Sequence, residues 1–303
     1  MKNIFRSLMA LMVFVGISVV VSCSKEQIPS EAPSSEGRLK NQAGIANENN
    51  PFDYCGLIHN EILDFIIQNN QHPSSEDIFS LTQQYLLEKH NVSSNLTFSD
   101  FSSGYHMILE FIVDAFLRGD SFHGIVSDGV VANTLDMLVD YSNSILIANT
   151  LPLPQEYARY LIERESEILE DRKGASDAHD AVSEHNVSLG TLAIARYSYA
   201  YWYDVVNNAQ NAWNNVKPSS KRQDGDGNEK PGFFKKLWNG ICEVSEVVVK
   251  AAITPVVDAT GFAYGAVTNS GPVSPSSPGF GLDGTWLDSA IEVAGDWSGN
   301  IWE

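Results

Sequence analysis

The chain has few basic residues for its acidic content, and this imbalance excludes one class of partner. It carries 19 Lys and Arg against 38 Asp and Glu, a formal net charge of −19. Binding to nucleic acid depends on Lys and Arg contacts to phosphate, so we expect no nucleic-acid partner. The same charge opposes docking on anionic lipid.

Catalytic and cofactor motifs are also missing. The sequence contains no Gly-x-Ser-x-Gly elbow, no P-loop, no dinucleotide-binding glycine fingerprint and no His-Glu-x-x-His zinc motif. One group of residues has metal-capable side chains, but an exposed acidic helix start is the favoured interpretation: Asp177, His179, Asp180, Glu184 and His185. We therefore predict no catalytic residues, no metal site and no cofactor, and we leave the question of an enzyme open.

The N-terminus has the pattern of an export signal. Lys2 and Arg6 precede an uncharged apolar run over 8–21, which is shorter than the roughly 20 residues that a membrane-spanning helix needs. Small residues and Cys23 follow this run. The order predicts a secretory signal peptide over residues 1–22. An uncleaved N-terminal membrane anchor is the alternative.

The segment Val20-Val21-Ser22-Cys23 resembles the lipobox of bacterial lipoproteins. The resemblance implies that signal peptidase II cuts before Cys23, which then carries diacylglycerol and an amide-linked acyl chain such as palmitate. It also implies a cell-envelope protein held in a membrane, and Ser24 favours the outer membrane. The residues from Asn50 to Asn60 are similar to uncharacterised Bacteroidota lipoproteins, a likeness that implies no activity. Whether the body faces the periplasm or the cell surface stays open.

Only two cysteines remain for the folded part, Cys55 and Cys242. Export would place them in an oxidising compartment, where a disulfide between them is one hypothesis. Two buried free thiols are the alternative, because cysteine packs well as a small hydrophobic residue.

Composition divides the exported chain into segments. Residues 23–50 are polar and nearly devoid of large apolar side chains, which predicts a lipidated flexible tether. We expect a main helical domain over 51–216, a polar linker over 217–231, and a C-terminal helical segment over 232–303 that contains a Gly/Pro-rich loop.

Apolar residues recur with helical spacing, and alternating runs typical of strands are scarce, so we predict an all-α, bundle-like fold. The predicted helices run from Asp53 to a break at His72-Pro73, from Ser74 to a loop over 91–97, over 101–117, over 120–149 with glycine interruptions, from Pro154 to Arg172, over 175–216, over 233–267, and from Trp286 past Trp297. We expect two internal breaks. One lies near Ser188-Leu189-Gly190, because an unbroken 175–216 helix would be about 60 Å long. The other lies near Thr254-Pro255, because proline disrupts helices.

Aromatic residues are densest around 197–213, and four of them are candidate ligand-binding residues: Tyr199, Trp202, Tyr203 and Trp213. At helical spacing the rings surround the helix, which favours core packing. An open face that stacks on sugars or on a partner peptide is the sharper alternative.

These features predict an exported, lipid-anchored envelope protein that acts as a helical interaction module for a protein or a glycan. Two alternatives remain. One is an envelope-associated hydrolase, which would need a cleft with paired carboxylates of raised pKa. The other is a toxin-like or self-protection protein that uses its Gly/Ala-rich segment at 255–268.

Overall fold

The computed structural model describes residues 44–93, 96–126, 129–174, 183–208, 210–215, 245–268 and 286–302. Several predicted features lie outside these residues: the signal peptide, Cys23, the tether before Gly44, the acidic residues Asp177 to Asp180, the 217–231 linker, Cys242 and the 269–284 loop.

Within the described ranges the chain forms eight α-helices and no β-strand, which confirms the all-α prediction. The helices are α1 (Asp53–Asn69), α2 (Ser75–His90), α3 (Phe98–Arg118), α4 (Gly129–Ala148), α5 (Pro154–Arg172), α6 (Glu184–Asn207), α7 (Glu246–Thr268) and α8 (Trp286–Trp302). Two 3₁₀ turns accompany them, at Phe122–Gly124 and Ala212–Asn215.

Local sequence signals set several helix ends where we expected them. Ser74 caps α2 through a capping box, in which its hydroxyl accepts from the Asp77 amide and the Asp77 carboxylate accepts from the Ser74 amide. Asn91 ends α2 in the left-handed conformation that asparagine tolerates. Pro154 occupies the first turn of α5, where backbone N–H groups have no acceptor within the helix. The lack of an N–H in proline therefore costs no helical hydrogen bond there.

The break predicted near Ser188-Leu189-Gly190 is wrong, because α6 runs unbroken through these residues. A Cβ at Gly190 would overlap the ring of Phe262 on α7. The glycine therefore allows two central helices to approach closely. The length argument for a break does not apply, because α6 has 24 residues and is about 36 Å long, shorter than the predicted 175–216 helix. It is covered by α1, α4, α5 and α7 and crosses the body as a buried axis.

The break predicted near Thr254-Pro255 is also wrong, because α7 continues through Pro255. A proline inside a helix removes one backbone hydrogen bond and costs about 3 kcal/mol. Ile253, Val256 and Val257 around it are fully buried. Burial of apolar side chains on all sides of α7 offsets the lost hydrogen bond, since each contributes roughly 1.5–3 kcal/mol.

The core centres on α6 and α7. Helix α7 packs most extensively against α8 and α6, and α8 packs in turn against α1 and α2. All described helices, α7 and α8 included, belong to one compact unit.

One described helix is long and apolar enough to cross a membrane, namely the Val247–Ala266 part of α7. Of this stretch, 83% is buried inside the body. The core helix of a globular domain meets the same criteria, and the burial of α7 places it in that role in this conformation.

The first described residues are packed, although we assigned 23–50 to the tether. Ile45 is fully buried, and Asn47 and Asn50 are nearly so. Residues 44–53, which we call the strap, lie against α5 and α6. The described part of the predicted tether therefore belongs to the folded body.

Candidate functional site

Three of the four candidate ligand-binding aromatics are buried. Tyr199, Trp202 and Trp213 are at most 1% exposed, and Tyr203 is half-buried. This placement agrees with the favoured interpretation, core packing, for the three buried rings. It leaves only Tyr203 within partial reach of a ligand.

The polar ends of these rings contact other core residues. The Trp202 indole donates to the Ser298 hydroxyl at 3.1 Å, and the Trp213 indole donates to the Tyr201 hydroxyl at 2.8 Å. The Tyr199 hydroxyl donates to a backbone carbonyl in the α4–α5 turn at 2.9 Å. Buried Trp and Tyr side chains usually find such partners, and here they tie α6 to its neighbours.

A second aromatic feature is a run of stacked tyrosines from the surface into the core. Tyr157 and Tyr199 stack with ring centroids 3.9 Å apart and planes 5° apart. Tyr141 lies 5.2 Å from Tyr157 and stacks on Tyr160 at 4.0 Å. Burial raises the pKa of Tyr157, and the neighbouring tyrosines add to this effect. The run joins α4, α5 and α6 and keeps its buried phenols protonated.

The strap is fixed by a buried arginine that sequence reasoning did not single out. Arg196, in the middle of α6, is fully buried. Its guanidinium donates to the Glu165 carboxylate of α5 at 2.9 and 3.1 Å, to the Asp53 carboxylate and to the Ile45 carbonyl. One side chain therefore joins α5, α6 and both ends of the strap.

The carboxylate partners of Arg196 have further contacts. Asn47 donates through its side chain to Glu165 at 2.5 Å and through its backbone to Asp53 at 3.1 Å. The Tyr197 hydroxyl also donates to Asp53, at 2.8 Å. Burial raises the pKa of Glu165, and the Arg196 guanidinium opposes this by favouring the charged carboxylate. A charged residue amid the apolar run of α6 was the sequence signal for this centre.

A second buried centre surrounds Asp258 of α7. Its carboxylate accepts from Ser198 of α6 at 2.5 Å and from Ser298 of α8 at 2.8 Å. The imidazole of His59 on α1 places Nε2 at 3.4 Å from the same oxygen. All four side chains are fully buried. Asp258 therefore connects four helices at the centre of the body.

His59 has a defined orientation within this centre. Its Nδ1 lies 2.9 Å from Asn60 Oδ1, and the Asn60 amide donates to the Tyr197 carbonyl at 3.0 Å. This arrangement assigns the oxygen of Asn60 to His59 and makes Nδ1 the donor. His59 and Asn60 therefore form a buried polar contact beside Asp258.

The serine and histidine side chains around Asp258 are not arranged as in a nucleophilic catalytic triad. A catalytic serine contacts the imidazole, which the aspartate then orients. Here Ser198 and Ser298 both donate to the carboxylate itself. Together with the burial of the group, this geometry is typical of a polar network that fixes helix packing.

A pair of carboxylates lies between α8 and α2. Glu292 and Asp296 are one helical turn apart, and they are 1% and 0% exposed. The side chain of Gln83 donates to Glu292 at 3.0 Å. Burial raises the pKa of Asp296 well above its ordinary value, and the nearby Glu292 charge raises it further. A raised pKa such as that of Asp296 also occurs at catalytic carboxylates, but both side chains are buried away from a polymer substrate.

Cys55 on α1 is fully buried and forms no disulfide with any residue in the described ranges. Burial raises its pKa, and the Asp53 charge adds to this effect. Its proposed disulfide partner, Cys242, lies outside the described residues. In the parts of the chain that the structure describes, no group of three or more His, Cys, Asp or Glu side chains is placed to hold a metal ion.

Comparison with protein-family models, curated proteins and solved structures finds no match for this chain.

Proposed function

We propose that this protein is exported, anchored by lipid on Cys23, and displayed in the cell envelope, where its helical body binds a protein or glycan partner. The observation that supports this most directly is the lipobox-like segment Val20-Val21-Ser22-Cys23 after a basic head and an apolar run. The strap shows how the following chain joins the body. Arg196 fixes residues 45–53 to α5 and α6 through buried ion pairs and hydrogen bonds. A lipid on Cys23 would therefore be attached to a folded body whose first residues are fixed by buried contacts.

The burial of the carboxylates favours a binding role over hydrolysis. A general acid or base must come within hydrogen-bond reach of its substrate. Glu165 and Asp296 both have raised pKa values, yet both are fully buried and contact other core residues. Recognition through the outer surface fits this arrangement better than chemistry on a polymer at these groups.

Metabolic labelling with an alkyne analogue of palmitate tests the anchor. We expect the wild-type protein to incorporate the label and to sediment with membranes, whereas the Cys23→Ser variant loses both properties. Cys55→Ser is the matched control, since its thiol is buried, and it should label like the wild type. Equal labelling of wild type and Cys23→Ser would refute a lipid anchor on this cysteine.

Protease shaving of intact cells then identifies the kind of partner to screen. If a tagged wild-type protein is degraded on intact cells, the body faces outward, and glycans or neighbouring cells are the first candidates. If it resists until lysis, it faces the periplasm, and crosslinking to envelope proteins is the next step.

A second candidate function is toxin-like insertion by the 255–268 segment, which the length and apolarity of α7 favour. Insertion would have to expose the Asp258 carboxylate to lipid, which is costly. Dye-filled vesicles decide the matter. Leakage on addition of the folded protein supports insertion, and intact vesicles remove this candidate.

A further inference from the structure

Three large apolar side chains on helix ends near the α4–α5 turn are exposed. Ile147 at the end of α4 is 87% exposed, Leu153 at the start of α5 is 54% exposed, and Val247 at the start of α7 is 45% exposed. We call these three residues the α4–α5 apolar cluster. Single exposed apolar residues are ordinary on a protein surface, whereas grouped ones often mark an interaction site.

The turn between α4 and α5 links the helix ends that carry these residues. Asn149 adopts a positive φ of 47°, which reverses the chain after α4. Its side chain accepts from the Ser245 amide at 3.2 Å, so the start of α7 is attached to this turn. Ile147, Leu153 and Val247 each lie within a few residues of that hydrogen bond.

The strap begins at the same end of the bundle. Gly44 lies against Gln155, because a Cβ built on Gly44 would be 3.3 Å from the Gln155 Cγ. Gln155 is two residues from Leu153. The strap then runs along α5 and α6 to Asn50, whose side chain donates to the Leu189 carbonyl near the start of α6. The segment that carries Cys23 therefore joins the body beside the α4–α5 apolar cluster.

We propose that the α4–α5 apolar cluster contacts the lipid surface to which the N-terminal segment holds the body. This inference rests on the proposed lipid anchor at Cys23. About 20 residues separate Cys23 from Gly44, and at 3.3–3.6 Å per residue their greatest reach is about 70 Å. Because the N-terminal segment joins the body at this end, the lipid anchor holds the cluster near the bilayer and raises its effective concentration there.

The position of the attachment argues for lipid over a second copy of the chain. Other large apolar residues are also exposed, but on α2, on α3 and after α3: Leu87, Met107, Leu117 and Ile125. None of these four lies on α4, α5 or α7, whose ends carry the cluster, whereas the strap begins against Gln155 of α5. The net charge of −19 repels anionic headgroups, so the contact suits a zwitterionic surface.

An environment-sensitive fluorophore at single cysteines tests the contact. The protein starts at Ser24, carries an N-terminal His tag and the Cys242→Ser substitution, and is held on phosphatidylcholine vesicles by a nickel-chelating lipid. The dye is attached at Leu153→Cys or Ile147→Cys. Leu87→Cys is the matched control, because Leu87 and Leu153 are both 54% exposed. Because the tag replaces the native anchor, failure of palmitate labelling at Cys23 does not decide this experiment.

We expect a blue shift and quenching by doxyl-labelled lipid at positions 147 and 153, with neither change at position 87. Adding phosphatidylglycerol to the vesicles should reduce both changes. If the dye at position 153 emits at the same wavelength as the dye at position 87 on the vesicles, the proposal is overturned. A blue shift that grows with protein concentration in the absence of vesicles would also overturn it and assign the cluster to self-association.

Discussion

Arg196 of α6 donates to Glu165 of α5 at 2.9 Å, and both side chains are fully buried. The pair lies where the strap crosses two helices, and Asp53 and the Ile45 carbonyl complete the contacts of the guanidinium. A buried ion pair is weak support for stability in itself, but removal of one partner leaves an uncompensated charge.

Arg196→Met should destabilise the protein by about 3–5 kcal/mol, because Glu165 then stays buried without its cation. Urea unfolding followed by circular dichroism measures the change. The control is Arg164→Ala, which breaks the exposed Arg164–Glu167 pair and should cost at most about 1 kcal/mol. Similar losses in the two variants would contradict the buried centre. The Arg196→Met, Glu165→Met double variant should recover part of the loss.

Gly190→Ala should destabilise the protein by about 1–3 kcal/mol, because the added Cβ overlaps the Phe262 ring. Alanine is otherwise the better helix former, so the expected sign is opposite to the helix propensity. Thermal unfolding compares this variant with Gly129→Ala, whose Cβ would meet no atom within 4 Å. The control should be neutral or slightly stabilised, and a stable Gly190→Ala protein would argue against close contact between α6 and α7.

Asp296→Asn should stabilise the protein increasingly as the pH rises above about 4, the ordinary aspartate pKa. Burial raises the pKa of Asp296 in the folded state, so the native state holds a proton that the unfolded state releases. The unfolding free energy of the wild type therefore declines as pH rises from the unfolded pKa towards the native one. Asparagine has no such proton to lose.

Urea unfolding at pH 5 and pH 8 measures this difference. The gap between Asp296→Asn and the wild type should be larger at pH 8. Exposed Asp140 offers a control, and Asp140→Asn should show a small gap that changes little with pH. A gap for Asp296→Asn that shrinks with pH would contradict the raised pKa.

Cys55 should not react with Ellman's reagent in the folded protein, because its thiol is buried and burial raises its pKa. Unfolding the protein without reductant should expose the Cys55 thiol, which then reacts with the reagent. The Cys242→Ser variant is the control, since Cys55 then has no proposed partner. If Cys55 reacts after unfolding only when Cys242 is replaced, the two cysteines form a disulfide in the wild type.

Local chemistry in the sequence was enough to predict most helices and several of their ends. Ser74 with Asp77, and Pro154, act within one helical turn, so their effect depends little on the rest of the chain. Helical periodicity likewise predicted the all-α class. The lipobox at Cys23 is also local, and it stays a prediction.

The two predicted breaks failed because local signals were outweighed by contacts between distant residues. Gly190 looks like a helix breaker alone, but next to Phe262 it is a packing position. Pro255 costs a hydrogen bond, yet the residues of α7 around it are fully buried. The meeting of His59, Ser198 and Ser298 at Asp258 was equally hidden, because residues on four helices come together only on folding.

The sequence by itself determined the helical class, several helix ends and the acidic net charge, because these depend on neighbouring residues and on composition. Only the tertiary structure decided that Arg196 holds the strap, that Trp202 and Trp213 face the core, and that Ile147 and Leu153 stay exposed at the end where the strap begins. Those outcomes depend on which helices cover which faces, a property of long-range packing that periodicity along one helix does not contain.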